Sequence, residues 1–317
     1  MEQRSGRWAA LDNLRGLTVF LMIPVNAGMD FTSIPAWFKH APGQGLTLAD
    51  FIMPAFLFAL GTSASFSFRR RLAEKGIGRT ILHALRRYGL LFLFGTIGFI
   101  AVWGSRNWEI LQMLGFSGAL AFPFFFLLPA WRAAAAVALV GGVEALRPVV
   151  FDAAFRAWYE GGIGGPAGAI PLAAIPIAAS ALGEFLQGRS WKGRTGMAAI
   201  VGAVCLGAGL ALGLLIPMDK HLLSTSYLIA TFGASALALA ALTPLDALLD
   251  GRLPPLGALG RNPLLAYIIG GILTLVLWLW VPADIPAAWA WALSLGVLAV
   301  VTAVGLVLDR KRIWIRL

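Results

Sequence analysis

Of the three histidines in this chain of 317 residues, His40 stands where chemistry can be done. It belongs to the segment Lys39-His40-Ala41-Pro42-Gly43-Gln44-Gly45-Leu46-Thr47-Leu48-Ala49-Asp50. A neutral imidazole takes a proton from an amine or hydroxyl near neutral pH, and it can also carry an acyl group itself. Thr47 and Asp50 have capping-box spacing, so Thr47 is read as a helix N-cap and Asp50 as a residue of the first turn. Two readings of Asp50 stay open: capping alone, or orientation of His40 or of the acceptor. Asn26 follows Pro24 closely. A proline frees a helix carbonyl and bends the axis, so Asn26 is read either as a polar group opening a pocket or as interhelical glue. Pro54 is expected to kink the next helix in the same way, so that two bent helices flank the histidine segment. No serine nucleophile elbow, zinc-ligand spacing or phosphate-cradling glycine motif competes, and no metal is expected.

The elements that hold these residues must be membrane helices. Hydrophobic residues make up 59% of the chain, charged residues 13%, and the mean hydropathy is +0.81. A soluble domain carries about 25% charge, and one of this composition would expose large apolar patches. The apolar content excludes disorder, and the single cysteine, Cys205, excludes a disulfide scaffold. The fold class is therefore all-α: a polytopic integral membrane protein with about ten transmembrane helices, read as one domain over residues 1–317. The apolar stretches are 11–29, 47–68, 88–103, 109–128, 131–147, 166–186, 195–217, 223–247, 262–282 and 287–308. The histidine motif occupies 10–60, and a basic loop occupies 69–87. Asp12 and Arg15 interrupt the first stretch, so it is read as an uncleaved span rather than a signal peptide.

Charge sets the orientation. With the N-terminus in the cytoplasm and alternating spans, 19 of the 25 Lys and Arg residues fall on the cytosolic side and 5 outside, with Arg15 inside the first span. The 19 include Arg4, Arg7, Arg252 and Arg316; the 5 include Arg106. Both termini are then cytoplasmic and His40 faces outward. Tryptophans 103, 108, 278, 280, 289 and 291 bracket outer loops, where indoles anchor at the interface. The net charge of +10 is topological and does not indicate nucleic acid.

Ionisable groups within spans are costly and mark candidate sites. Asp12 and Arg15 share one helical face, as an ion pair or as a polar entry for a charged ligand. The stretch Arg69–Arg87 is either topology plus anionic lipid, or a landing surface for a cytosolic anion such as the phosphates of coenzyme A. Glu109 and Gln112 open one span, Asp219-Lys220-His221 follow another, and Gly260-Arg261-Asn262 precede a third. Asp219 and His221 form an ordinary loop or a second acid–base pair. Glu144 and Glu184 need interior donors that the sequence does not name.

These residues resemble a known family. Ala10-Leu11-Asp12-Asn13-Leu14-Arg15-Gly16, Met22-Ile23-Pro24-Val25-Asn26, Lys39-His40 with Gly45 to Asp50, and Pro54 to Phe58 are similar to the heparan-α-glucosaminide N-acetyltransferase family of transmembrane acyltransferases. Ile110-Leu111-Gln112, Pro217 to Lys220, Leu223 to Tyr227, Gly260-Arg261-Asn262 and Arg312-Ile313 continue the likeness. Gly43, Gln44, Asp219 and Leu223 depart from it; the family often has tryptophan, asparagine, asparagine and tryptophan there. The resemblance implies transfer of an acetyl or other acyl group from cytosolic acyl-CoA to an amine or hydroxyl across the membrane. It makes His40 the active-site histidine, with Asn26 and Asp50 as polar neighbours, by an acyl-histidine or a ternary complex. Donor-side candidates are Asp12, Arg15, Arg69, Arg70, Arg86, Arg87, Gln112 and Asn262; acceptor-side candidates are Asp219, Lys220 and His221. The expected partners are membrane lipid, acyl-CoA and a sugar or cell-envelope glycan in a bacterial inner membrane, with a homodimer among the assemblies allowed. A transporter or flippase without acyl chemistry is the alternative, since bent spans with buried polar groups describe both.

Overall fold

The structure is a computed structural model, and it describes residues 8–103, 108, 110–158, 163–249 and 253–314. Glu109 and the orienting charges Arg4, Arg7, Arg106, Arg252 and Arg316 lie outside the described residues. Every regular element among the described residues is helical. The chain forms α1 (Ala9–Gly28), α2 (Ile52–Trp103), α3 (Ile110–Ala121), α4 (Pro129–Leu146), α5 (Asp152–Arg156) and α6 (Gly165–Leu172). There follow α7 (Ala174–Leu186), α8 (Trp191–Leu212), α9 (Thr225–Leu248), α10 (Pro254–Arg261), α11 (Pro263–Trp280) and α12 (Ala287–Arg310). Pro129, Pro254 and Pro263 open α4, α10 and α11, where a missing N–H costs nothing.

Among the described residues, seven helical stretches are long and apolar enough to cross a membrane. They are Leu48–Gly98, Pro129–Arg156, Gly165–Leu186, Trp191–Leu212, Thr225–Leu248, Pro263–Trp280 and Ala287–Arg310. The difference from ten has three sources. Stretches 47–68 and 88–103 fall in one 52-residue helix, α2, whose non-helical residue is Gly76 (φ 74°, ψ 173°). The apolar helix that starts at Ile110 ends at Phe126, and α1 carries Asp12 and Arg15 in its first two turns. Pro54 is a second correction. It sits in the first turn of α2, directly after a 3-10 turn over Leu48–Phe51, so the break in this helix belongs to Gly76 instead.

Contacts divide the chain into two compact units. The first comprises 1–42, 47–52 and 238–316; the second comprises 43–46 and 53–237. In the first, α1 packs against α10, α11 and α12. The α1–α10 crossing needs glycine on both sides: a Cβ on Gly16 would lie 1.8 Å from the Leu256 carbonyl oxygen, and one on Gly260 would lie 1.7 Å from that of Asp12. Small residues let backbones approach in this way where lipid supplies no hydrophobic drive. Gly260→Ala is therefore expected to cost about 1–3 kcal/mol by overpacking, read as a lower melting temperature in detergent. In the second unit α4 packs on α7 and α3 on α6. A core of Phe68, Ala121, Phe125, Ala136, Ala173 and Ile177 lies among them.

Candidate active site

His40 belongs to the first unit, and the part of its loop within that unit is braced. Thr32 donates its backbone N–H to Ala283 O at 2.8 Å, and Lys39 Nζ donates to Phe31 O at 2.6 Å. The Phe38 ring packs edge-on against Trp291 at a centroid distance of 4.7 Å. Phe31 and Phe38 are buried, which pins the loop on either side of the exposed Trp37.

His40 Nδ1 lies 3.0 Å from Asp50 Oδ1. The carboxylate is wholly buried while 28% of the imidazole remains exposed. The other oxygen, Asp50 Oδ2, accepts from Ala41 N–H (3.3 Å), Thr47 N–H (3.0 Å) and Thr47 Oγ1 (2.9 Å). The two readings of Asp50 are thus not exclusive: one oxygen closes the capping box and the other faces the histidine. All these partners donate, so the carboxylate acts as acceptor and selects the tautomer with hydrogen on Nδ1. Nε2 is left with the lone pair, and a buried acid that orients an imidazole in this way is the arrangement of a general base. Asn26 is half-buried, two residues before the end of α1.

The donor-side candidates part company. Asp12, 2% exposed, pairs with Arg15 at 2.6 Å, and Arg15 Nη1 also donates to Gly260 O at 3.2 Å. Gln112 Nε2 donates to Thr96 Oγ1 at 3.1 Å, across the α2–α3 contact. Asn262 Nδ2 donates to Ile313 O at 2.9 Å, and its neighbour Arg261 grips Asp309 through two nitrogens. These contacts tie helices together. Arg69 pairs with Glu184 at 2.8 Å, Arg87 lies over the Tyr88 ring at 6.0 Å, and Arg70 and Arg86 are exposed.

The acceptor-side candidates lie in the second unit. Asp219 is buried, and its Oδ1 accepts from the N–H groups of His221 (2.7 Å) and Leu222 (3.0 Å), fixing a turn. Lys220 is buried and His221 half-buried. Gly45 N–H donates to Met218 O at 2.7 Å, beside an isolated antiparallel bridge between Gln44 and Asp219.

Sequence reasoning left Glu144 without a partner. Its carboxylate takes Arg147 at 2.9 and 3.1 Å and Thr225 Oγ1 at 2.7 Å. Arg147 in turn donates to Leu222 O (2.8 Å) and Leu223 O (3.2 Å). This clamp holds Leu223 in a left-handed conformation, φ 49°, that costs a non-glycine residue about 1–2 kcal/mol. The i,i+3 spacing of Glu144 and Arg147 was the sequence signal. Arg147→Ala, which strands two carbonyls and leaves Glu144 with Thr225, is expected to cost about 1–3 kcal/mol and to speed amide exchange across 221–225.

Residues 7–163 match the family model for heparan-alpha-glucosaminide N-acetyltransferase, catalytic. The heparan-alpha-glucosaminide N-acetyltransferase of Mus musculus is 30% identical over 132 residues, and that of Homo sapiens 31% identical over 129 residues. Each alignment covers 38% of this chain and 18% of the relative, so the chain spans under a fifth of the curated relatives it matches. The match includes Asn26, His40 and Asp50 as well as the basic stretch 69–87. Among the described residues no group of His, Cys, Asp and Glu could hold a metal ion.

Proposed function

We propose, from an N-terminal half similar to the heparan-alpha-glucosaminide N-acetyltransferases, that this chain is a membrane acetyltransferase with His40 at its centre. The observation that carries the reading is the His40–Asp50 pair inside the matched region: a sealed carboxylate, an oriented ring and an exposed edge. Asp50 holds hydrogen on Nδ1, and Nε2 takes the proton as an acceptor amine or hydroxyl attacks the thioester carbonyl. The new C–N or C–O bond forms, the C–S bond breaks, and the thiolate leaves and is protonated. Asn26 is the donor for the oxyanion. An acetyl-histidine, formed when Nε2 attacks first, uses the same groups.

Acetyl-CoA is the donor and approaches from the cytosol. Arg70 and Arg86 suit its phosphates, because exposed guanidinium groups bind phosphate bidentately, and the half-buried Arg87 adds charge beside them. Asp12, Arg15, Gln112 and Asn262 support the donor side through the helix contacts they make. The acceptor is an extracytoplasmic sugar or envelope glycan of a bacterium, with Asp219, Lys220 and His221 on its side. Residues 1–317 are one acyltransferase domain with both termini in the cytoplasm.

The test uses the whole chain reconstituted in vesicles with labelled acetyl-CoA outside or inside and a panel of aminosugars. Label appearing on a sugar supports the reading. No thioester loss with any sugar overturns it, and uptake of the sugar without acetyl transfer overturns it in favour of a transporter.

A further inference from the structure

We propose that the end of the second unit where α4 begins, α7 ends and α8 begins binds the phosphate headgroup of one anionic phospholipid. It shares Arg69 with the donor-side candidates, and its test reads bound lipid and not acetyl transfer.

Two cations meet the Glu184 carboxylate there, and three more lie just beyond the end of α7. Arg132 is 2% exposed, and protein atoms take its donors: Nε meets Leu127 O at 3.0 Å, Nη1 meets Ser180 O at 3.2 Å, and Nη2 meets Glu184. The second oxygen of Glu184 holds Arg69, which is half exposed. Just beyond α7, Arg189 Nε donates to Phe185 O at 2.8 Å and Arg194 Nε to Leu186 O at 3.3 Å. Lys192 Nζ lies 5.6 Å from the Trp191 ring centre. Against these five cations stand the Glu184 carboxylate, shared by two of them, and the C-terminal dipole of α7, which is worth about half a negative charge. An excess of about three positive charges remains, and Arg69, Arg189 and Lys192 present it to solvent. Arg69 can turn to a phosphate without stranding Glu184, because Arg132 stays on that carboxylate.

The apolar surroundings select a lipid over a free anion. Leu128, Trp131, Phe185 and Trp191 are all exposed beside these cations, Trp131 at 66%. A soluble phosphate gains nothing from such a shelf. A phospholipid lays acyl chains along it while its headgroup meets the cations, and tryptophan at this level suits the membrane interface.

The experiment is native mass spectrometry of the full chain released from membranes made of equal parts phosphatidylglycerol and phosphatidylcholine. The expected result is one retained phosphatidylglycerol per chain. Each cation near an anionic headgroup contributes about fivefold in affinity, so Arg189→Gln with Lys192→Gln is expected to weaken retention about 25-fold. Arg310→Gln with Lys311→Gln, the same charge change at the end of α12, should leave it unchanged. Equal retention of phosphatidylcholine, an equal loss in the α12 pair, or no loss in the first pair overturns the proposal. Displacement of the lipid by inorganic phosphate or coenzyme A at matching stoichiometry also overturns it and assigns the face to a soluble anion.

Discussion

Alanine at position 40 is expected to lower acetyl transfer by about 10²–10⁴-fold, the range for loss of a general base. The chain should still fold. The imidazole is partly exposed, and the loop is pinned by Phe31, Phe38, Thr32 and Lys39 rather than by the ring. Yield and melting temperature in detergent check that half of the expectation, and labelled acetyl transfer checks the other. Asp50→Asn distinguishes the role of the carboxylate from that of the ring. An amide in its place keeps one acceptor oxygen for four donors, so either Nδ1 or the Thr47–Ala41 cap loses its partner. That variant should lose rate and also about 1–3 kcal/mol of stability, whereas His40→Ala, which leaves the cap on Oδ2 intact, should lose rate with the smaller stability change. An acetyl group trapped on wild-type protein and absent from His40→Ala would assign the acyl-histidine route. Unchanged turnover in His40→Ala would remove the imidazole from the mechanism.

The second large effect is on stability. Glu184→Ala leaves Arg132 buried with a guanidinium edge that no carboxylate meets. Breaking a buried pair from one side costs about 3–5 kcal/mol; Glu184 is 19% exposed, so the lower end applies. Arg69→Ala removes the half-exposed partner of the same carboxylate and should cost under about 1 kcal/mol. The contrast is diagnostic: thermal unfolding should drop sharply for Glu184→Ala and barely for Arg69→Ala. Equal losses would mean that the outer pair, which joins α2 to α7, and not the buried pair between α4 and α7, carries the stability.

The apolar runs were readable because helices that face lipid must be apolar along their length, and the described part of each run lies mainly on helix. How runs divide into crossings was not readable. Gly76 interrupts α2 without ending it, and the charges in α1 change its character without changing its length. The same boundary separates local from distant contacts at the sites. Thr47 and Asp50 are three residues apart, so spacing alone revealed their box, and His40 lies ten residues from the acid that meets it. Arg132 and Glu184 are 52 residues apart, and Thr32 and Ala283 are 251 apart. By itself the sequence determined the helical class, the caps and the short-range pairs, since those follow from periodicity and from neighbours one or two turns away. Only the tertiary structure decided which cation meets which carboxylate, because the geometry that brings such groups into hydrogen-bond range comes from helix packing, which no spacing along the chain encodes.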